Sequence, residues 1–366
     1  MPRAQKPAFA PFRLLHLPLV AIDDIVKCLN PIEVLDLSAV SRRSSVMLNL
    51  LRPRHQVKMH INFGWMTTLK LFNSHGDEVH VFEWKIDKGT LKQVSSRRKD
   101  IVQIANVSNS RNQASNVSTR RKVSTRPQSL LTYETNTPRL SEISSNVNAA
   151  LKHIFFIFPF IQVENLTLEY GTEKSLKLII ALPSETTVEN LIVKSRCVNE
   201  NVRYLLENIS VRNSFKCEAT ECGGTQIKDK LQCAKRISIE NSIWMDSSKL
   251  LQLNCEIVKL SKTRISTDDF EEFLRDWMTS PSEKYNNLRY LELELLSDGN
   301  VVNFEDLGAT RWDHTRRNWK YQFENGKACD LSGALDIERE DGTIGSIIMK
   351  GRNLRTQFYV WPNKPQ

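Results

Sequence analysis

A short segment recurs in the second half of the chain. Glu164-Asn-Leu-Thr-Leu168 is followed twenty-five residues later by Glu189-Asn-Leu-Ile-Val193. Each copy is strand-like, and further short strands follow at Arg236-Ile-Ser-Ile239, Ile257-Val-Lys-Leu260 and Leu288-Arg-Tyr-Leu-Glu-Leu293. Helix-like stretches lie between them, at Asn201 to Leu206 and Thr267 to Met278. Strand–helix units of about 20–33 residues that cannot bury their apolar faces alone are stabilised by stacking on one another. The pattern therefore predicts a mixed α/β fold with a repeat-like stack, against the plainer alternative of an ordinary α/β sheet.

The strongest single element is Thr267-Asp-Asp-Phe-Glu-Glu-Phe-Leu-Arg-Asp-Trp277. Thr267 suits an N-cap, the acidic first turn suits the helix dipole, and Phe270, Phe273, Leu274 and Trp277 share one face. Towards the C-terminus, Asp341-Gly342 predicts a type I′ hairpin, and Gln357-Phe-Tyr-Val-Trp361 a last strand. This zone, residues 149–366, is globular in composition.

Three other zones precede it. Residues 12–51 read as three short helices. Ile22, Ile25, Val26 and Leu29 recur at helical spacing behind Leu17-Pro18, with Pro18 in the first turn. Asn30-Pro31 ends that helix, and Pro31 opens a second with Val34, Leu35 and Leu37. Val40-Ser41 leads into a third with Val46, Met47, Leu50 and Leu51. Residues 52–94 mix His, Trp, Phe and Val, and His80-Val-Phe-Glu-Trp84 alternates as a strand. Residues 95–148 are rich in Ser, Asn and Arg. From Ser95 to Arg139 there are nine Lys/Arg, two acidic residues and one aromatic, Tyr133. Too little apolar area is present to offset ordering entropy, so a flexible insert is expected.

Residues 12–51 resemble an F-box. The residues that carry the likeness are Leu14, Leu17-Pro18, Ile22, Ile25, Leu29, Asn30-Pro31, Leu35, Leu37-Ser38 and Val40-Ser41. Where many F-boxes place a tryptophan after the Val-Ser pair, this chain has Arg42-Arg43-Ser44-Ser45. The C-terminal zone resembles the type 2 F-box-associated domain of a large nematode family. That likeness rests on Asp269-Phe-x-x-Phe-Leu-x-x-Trp277, Asn287-Leu-Arg-Tyr-Leu-Glu-Leu293, the Asp336–Gly342 segment and Phe358-Tyr-Val-Trp361. It implies an F-box followed by a leucine-rich-repeat-like substrate domain. It also implies a non-catalytic adaptor of a Skp–cullin–F-box ubiquitin ligase. Leu17, Pro18, Ile22, Ile25, Leu29, Pro31 and Leu35 would insert between helices of the Skp adaptor subunit, and through it reach a cullin–RING scaffold. The C-terminal zone would hold a protein substrate. The alternative for those seven residues is packing on one another or on the C-terminal zone.

Enzyme signatures are missing. Cys222-Gly223-Gly224 lacks the Lys-Ser/Thr of a phosphate-binding loop, and no Gly-x-Ser-x-Gly elbow occurs. Cys217, Cys222 and Cys233 do not have zinc spacing. The pairs His55/His60 and His75/His80 sit five apart, on opposite faces of a strand. Cys197, Cys255 and Cys329 lie in apolar or strand contexts and read as inert thiols. No catalytic residue, metal or cofactor is expected.

The chain carries a net charge of +9, concentrated in the insert. Arg97-Arg98-Lys99 and Arg120-Arg121-Lys122 would suit nucleic acid, an acidic partner or nuclear import, and the serines suit phosphorylation. A solvated loop is the alternative, and the scarcity of aromatics disfavours single-strand recognition. Seven cysteines without framework spacing and no secretory-type leader place the chain in the cytoplasm or nucleus. On that reading the sequons at Asn106, Asn116, Asn165 and Asn208 are incidental. Ile154–Ile161 is too short to span a bilayer and reads as a buried element ending at Pro159. Trp244, Trp312 and Trp319 are candidate interface anchors, with burial as the alternative.

Overall fold

The computed structural model describes residues 14–51, 56–63, 66–73, 76, 78–86, 94–96, 140–169, 182, 186–194, 208–218, 235–243, 245–281, 284–296, 302–323, 326–350 and 355–362. The chain divides into two compact units. One comprises Met1–Met59, Thr68–Gln162 and Ile179–Leu182, and the other His60–Thr67, Val163–Leu178 and Pro183–Gln366. The basic clusters of the insert, the Asn201–Leu206 helix, Cys197, Cys222, Cys233, His55, His75, Trp244, Asn106 and Asn116 lie outside the described residues.

In the first unit the sequence breakers act where they stand. After a single 3₁₀ turn, Leu14–His16, come α1 (Leu19–Cys28), α2 (Pro31–Val40) and α3 (Arg42–Leu51). Pro18 is the N-cap of α1 rather than part of its first turn. Asn30 caps α2 in a full capping box. Its Oδ1 accepts from the amides of Ile32 (2.9 Å) and Glu33 (3.0 Å), and Glu33 Oε2 accepts from the Asn30 amide (2.8 Å). Pro31 occupies the first helical position, where no amide hydrogen is needed. Ser41 Oγ accepts from the Ser44 amide at the start of α3 (3.1 Å).

Next come β1 (Lys58–Phe63), β2 (Met66–Phe72), β3 (Glu78–Ile86), β4 (Val94–Ser96) and α4 (Leu140–Ile157). Helix α4 stops just before the exposed Pro159, and Phe158 is buried. The core of this unit contains Ile22, Val26, Val34, Leu35, Met47 and Leu48, with Leu151, Ile154 and Ile157 of α4. Polar groups fix α4 against α2 and α3. The Ser38 hydroxyl donates to Leu35 O (2.6 Å) and lies 2.8 Å from His153 Nε2, and Asn49 Nδ2 donates to Phe156 O (2.6 Å).

The second unit is built on a sheet. Its strands are β5 (Gln162–Leu168), β6 (Thr186–Val193), β7 (Ile209–Cys217), β8 (Arg236–Ile239), β9 (Ile257–Leu260) and β10 (Tyr290–Glu294). Each pairs in parallel with the next, in chain order. Among the described residues, the helices between these strands are α5 (Ser247–Leu250) and α6 (Thr267–Thr279). The chain then returns through β11 (Thr310–Arg311), β12 (Lys320–Gln322), β13 (Ala328–Asp330), β14 (Leu335–Glu338), β15 (Ile344–Lys350) and β16 (Arg355–Val360). Strand β16 pairs antiparallel with β10 and β15, β15 with β14, and β14 with β11. Strands β12 and β13 form a separate hairpin.

The register explains the recurring segment. Asn165 faces Asn190, and Leu166 faces Leu191. The leucines continue an inner row of Phe215, Ile237, Val258, Leu291, Phe358 and Ile347 across the sheet. All of these are buried. The asparagines form a side-chain ladder on the other face. Asn190 Nδ2 donates to Asn165 Oδ1 (2.9 Å), and Asn213 Nδ2 to Asn190 Oδ1 (2.9 Å). Asn165 Nδ2 lies 2.9 Å from His60 Nε2. An amide carries both a donor and an acceptor, so one residue type satisfies itself along adjacent strands. The register between β6 and β7 shifts after Val188, and this shift brings Asn213 as well as Ser214 to Asn190.

Helix α6 packs on the inner row at Phe358. Phe270, Phe273, Leu274 and Trp277 are buried as one face. Trp277 meets Phe358 edge-on with centroids 5.0 Å apart, and Phe273 meets it at 6.1 Å. The N-cap is Ser266, not Thr267, because the Asp269 carboxylate reaches back to the Ser266 amide (2.8 Å) and completes a capping box. Thr267 is the first helical residue and is buried.

The Asp341-Gly342 turn also differs from expectation. The Arg339 amide donates to Thr343 O (2.9 Å) and the Gly342 amide to Arg339 O (2.8 Å), enclosing a three-residue loop. Gly342 has φ +82°, and among the described non-glycine residues only Lys262 has positive φ. Type I′ needs positive φ at both central residues, so the turn is instead a three-residue loop ending in a left-handed glycine.

Candidate functional site: a recess on the outer face of the sheet

The face opposite α6 carries the residues that alternate with the buried row. In one line across the sheet stand Asn165, Asn190, Ser214, Arg236, Ile257, Tyr290, Tyr359 and Ser346. One step along are Thr167, Ile192, Lys216, Ser238, Lys259, Glu292, Gln357 and Ile348. The face is mostly amide and hydroxyl at β5–β7, and aromatic and charged at β9, β10 and β16.

The β12–β13 hairpin walls in the aromatic end. Tyr321 packs on Tyr359 (centroids 5.2 Å apart), and Phe323 packs edge-on against Tyr290 (5.3 Å). The Tyr321 hydroxyl reaches Arg289 O (3.1 Å) and Val360 O (3.2 Å). Below the hairpin, Arg317 and Asp336 form a buried bidentate pair, both bonds 2.8 Å. Ser346 Oγ also donates to Asp336 (2.7 Å), and Trp361 Nε1 donates to Ser346 Oγ (2.8 Å).

Hairpin and sheet together border an open recess of about 630 Å³. Its apolar lining is the half-buried Ile257 and Phe323, with the edges of the nearly buried Tyr290 and Tyr359 behind them. Arg236, Lys259, Arg289, Lys327 and Arg355 face it, against two carboxylates, Glu256 and Glu292. Glu292 is nearly buried and strongly engaged. It accepts from the Tyr290 hydroxyl (2.7 Å), pairs with Arg355, and lies 3.7 Å from Lys259 Nζ. The network continues from Gln357 Nε2 to the Tyr290 hydroxyl (3.0 Å), and from the Tyr359 hydroxyl to Gln357 Oε1 (3.1 Å). Burial pushes the Tyr290 and Tyr359 phenols well above their usual range, so both stay protonated donors. Partial burial pulls the Lys259 ammonium below its ordinary value, and repulsion from Lys327 and Arg355 adds to this. The tyrosines thus form a buried aromatic cluster under the hairpin, and the charged side chains stand around its rim. Among the described residues, no three His, Cys, Asp or Glu side chains come together as metal ligands. Cys329 lines the recess, and Cys217 and Cys255 are buried.

The residues expected to dock an adaptor are distributed unevenly in the first unit. Pro18 is exposed, Leu17, Ile25 and Leu29 are half-buried, and Ile22, Pro31 and Leu35 are buried. Among the described residues of the first unit, the exposed large apolar side chains are others: Leu19 and Val20 of α1, Val40 of α2, Val46 and Leu50 of α3, and Phe156 and Phe160 at the end of α4 and just after it. Val20 is 76% exposed, Val40 74% and Leu50 70%. Their helical positions are legible, but the helix pattern alone does not say which side the α4 segment covers. Of the candidate tryptophans, Trp312 is half-buried and Trp319 exposed.

Residues 227–307 match the F-box associated family. The match covers β8–β10 and α6, and so three residues of the inner row, Ile237, Val258 and Leu291, with Ile257 and Tyr290 of the recess. It contains the Asp269–Trp277 and Asn287–Leu293 segments, while the Asp336–Gly342 and Phe358–Trp361 segments lie beyond it. Two uncharacterized proteins of Caenorhabditis elegans are similar along nearly the whole chain. One is 24% identical over 96% of this chain and 79% of its own length. The other is 21% identical over 97% and 79%. No solved structure matches the chain. Among the described residues no helix is long and apolar enough to cross a membrane.

Proposed function

We propose that the chain is a non-catalytic substrate adaptor of a Skp–cullin–F-box ubiquitin ligase. In this reading residues 12–51 are an F-box that docks a Skp-type subunit, and the second unit captures a protein substrate. The observation that carries it is the F-box associated match at residues 227–307. Support comes from the three short helices at the N-terminus, whose outer surface holds Leu19, Val20, Val40 and Leu50 in exposed positions. Exposed aliphatic side chains on a small helical unit are what a helical partner buries. The sequential parallel order of β5–β10 supports a leucine-rich-repeat-like second domain, a shape that offers one broad face to a partner. A ligase adaptor of this kind acts in the cytoplasm or nucleus.

The test is co-purification of the full chain with a Skp-type subunit. Replacing Leu17, Pro18, Ile25 and Leu29 together by alanine should abolish capture while the second unit keeps its thermal transition. Full capture by that folded variant refutes the docking assignment.

A further inference from the structure

We propose that His60 is a proton-dependent end stop for the asparagine ladder on the outer face of β5–β7. Neutral, its Nε2 accepts from Asn165 and completes the ladder. Protonated, it donates to Glu164 and releases the Asn165 amide. The inference stands on the second unit alone, whether or not the chain is a ligase adaptor.

The ladder has a fixed direction. Asn190 Nδ2 lies 3.3 Å from Glu164 O as well as 2.9 Å from Asn165 Oδ1. A carbonyl oxygen accepts and never donates, so the amide nitrogen of Asn190 must face it. Asn190 Oδ1 then points the other way, where Asn213 Nδ2 (2.9 Å) and Ser214 Oγ (2.7 Å) donate to it. Asn165 turns its oxygen to Asn190, which leaves its Nδ2 towards His60 Nε2, 2.9 Å away. Donation thus runs one way, from Asn213 through Asn190 and Asn165, and ends on an imidazole.

The same ring nitrogen has a second neighbour. Glu164 Oε2 also lies 2.9 Å from His60 Nε2. Two consecutive side chains reach one atom because β5 breaks its alternation here: Glu164 and Asn165 are both half-buried between the buried Val163 and Leu166. A ring nitrogen carries either a lone pair or a proton. With the lone pair it accepts from Asn165 and meets the carboxylate unfavourably. With the proton it donates to the carboxylate, and the Asn165 N–H groups point at another donor. The two bonds exclude each other. Imidazolium has a proton on both nitrogens, so acid selects the charge-assisted bond to Glu164. In base the neutral ring with its proton on Nδ1 selects Asn165. His60 is 29% exposed and Glu164 35%, so water reaches both, and the carboxylate can hydrate when the ring turns its lone pair to Asn165.

The other charges nearby do not make this choice. Lys58 stands two residues away on β1. Glu189 of β6 pairs with Arg212 of β7 (3.9 Å), and Lys70 of β2 with Glu78 of β3 (2.8 Å). None of these has an atom that can replace the Asn165 amide or the Glu164 carboxylate at the two bonds to Nε2. The consequence is a face whose hydrogen-bonding character changes at its β5 end: a self-satisfied amide above the transition, a donor turned to solvent below it.

The experiment is an NMR titration of the full chain, isotopically labelled at asparagine side-chain amides and histidine rings, from about pH 8 to about pH 5, where imidazoles titrate. The Asn165 amide should move with the His60 ring at one shared midpoint. Asn190 and Asn213 should follow at the same midpoint with falling amplitude. His60→Gln should hold all three still. Asn190→Ser should stop Asn213 from following while Asn165 still moves. An Asn165 amide that stays still, or moves at another midpoint, while the His60 ring titrates overturns the proposal, and so does a His60 ring that does not titrate in this range. These readings come from the wild-type chain, so they hold even where a variant fails to fold. In folded variants, movement of the three amides that persists in His60→Gln, or of Asn213 that persists in Asn190→Ser, also overturns it.

Discussion

The Arg317–Asp336 pair ties the hairpin wall to the sheet, and breaking it from one side should be costly. Only 2% and 4% of the two side chains are exposed. Beyond the two bonds to Asp336, the Arg317 guanidinium donates to Leu331 O (3.0 Å) and Asn318 O (2.9 Å), and it stacks 5.0 Å from the Trp361 ring centroid. Asp336→Ala leaves that cation buried with two neutral carbonyls and strips Ser346 of its acceptor. Removing one partner of a buried ion pair typically costs about 3–5 kcal/mol. For a unit of this size that lowers the melting temperature by about 6–20 °C. Replacing both residues, Arg317→Met with Asp336→Leu, removes the stranded charge and should recover most of the loss. The assay is scanning calorimetry of the full chain and the two variants. A loss below about 1 kcal/mol for Asp336→Ala, or a double variant worse than the single, refutes the idea that uncompensated burial of Arg317 sets the cost.

Three further outcomes are expected. Ser266→Ala removes the cap of α6 and should cost about 0.5–2 kcal/mol in urea denaturation, whereas an unchanged midpoint would show that the capping box is idle. At Gly345 an added Cβ would collide with the Phe358 ring and press on Trp277. Gly345→Ala should therefore destabilise by about 1–3 kcal/mol, and a neutral result would mean that α6 shifts freely over β15. His153 is held below its ordinary pKa of 6.5 by burial, so the unfolded chain binds the proton more readily. Its contribution is fully present above about pH 6.5 and is lost as the pH falls through the lower folded value. Denaturation midpoints at stepped pH should show that fall in wild type and less of it in His153→Gln.

The helices of the first unit were legible because their boundaries are local. Asn30-Pro31 and Ser41 act within a few residues of themselves, through a fixed φ and side-chain caps. The same holds for the body of α6, although its cap sits one residue earlier than Thr267, where the reach of Asp269 decides the matter. The Glu164 and Glu189 segments were legible as a repeat because their asparagines and leucines do separate jobs on the two faces. The β12–β13 hairpin was missed, although Asn325-Gly326 flanked by Gln322-Phe323 and Lys327 is a turn signal that could have found it. The pairing of β16 beside β10 joins residues more than sixty positions apart. No local pattern carries that information.

The recess follows from that distant pairing. Tyr290 and Tyr359 sit in runs of mixed apolar residues, and in either run a period of two leaves the choice of face open. The face is settled only when Leu291 and Phe358 are placed opposite each other under α6. The two tyrosines are then forced to the other side together. Six parallel strands alone would present a row of amides, hydroxyls and scattered charges. Strand β16 adds Tyr359, Gln357 and Arg355 beside Tyr290 and Glu292, and the hairpin that precedes it supplies the wall. The aromatic cluster is thus a product of the chain's return to its own sheet.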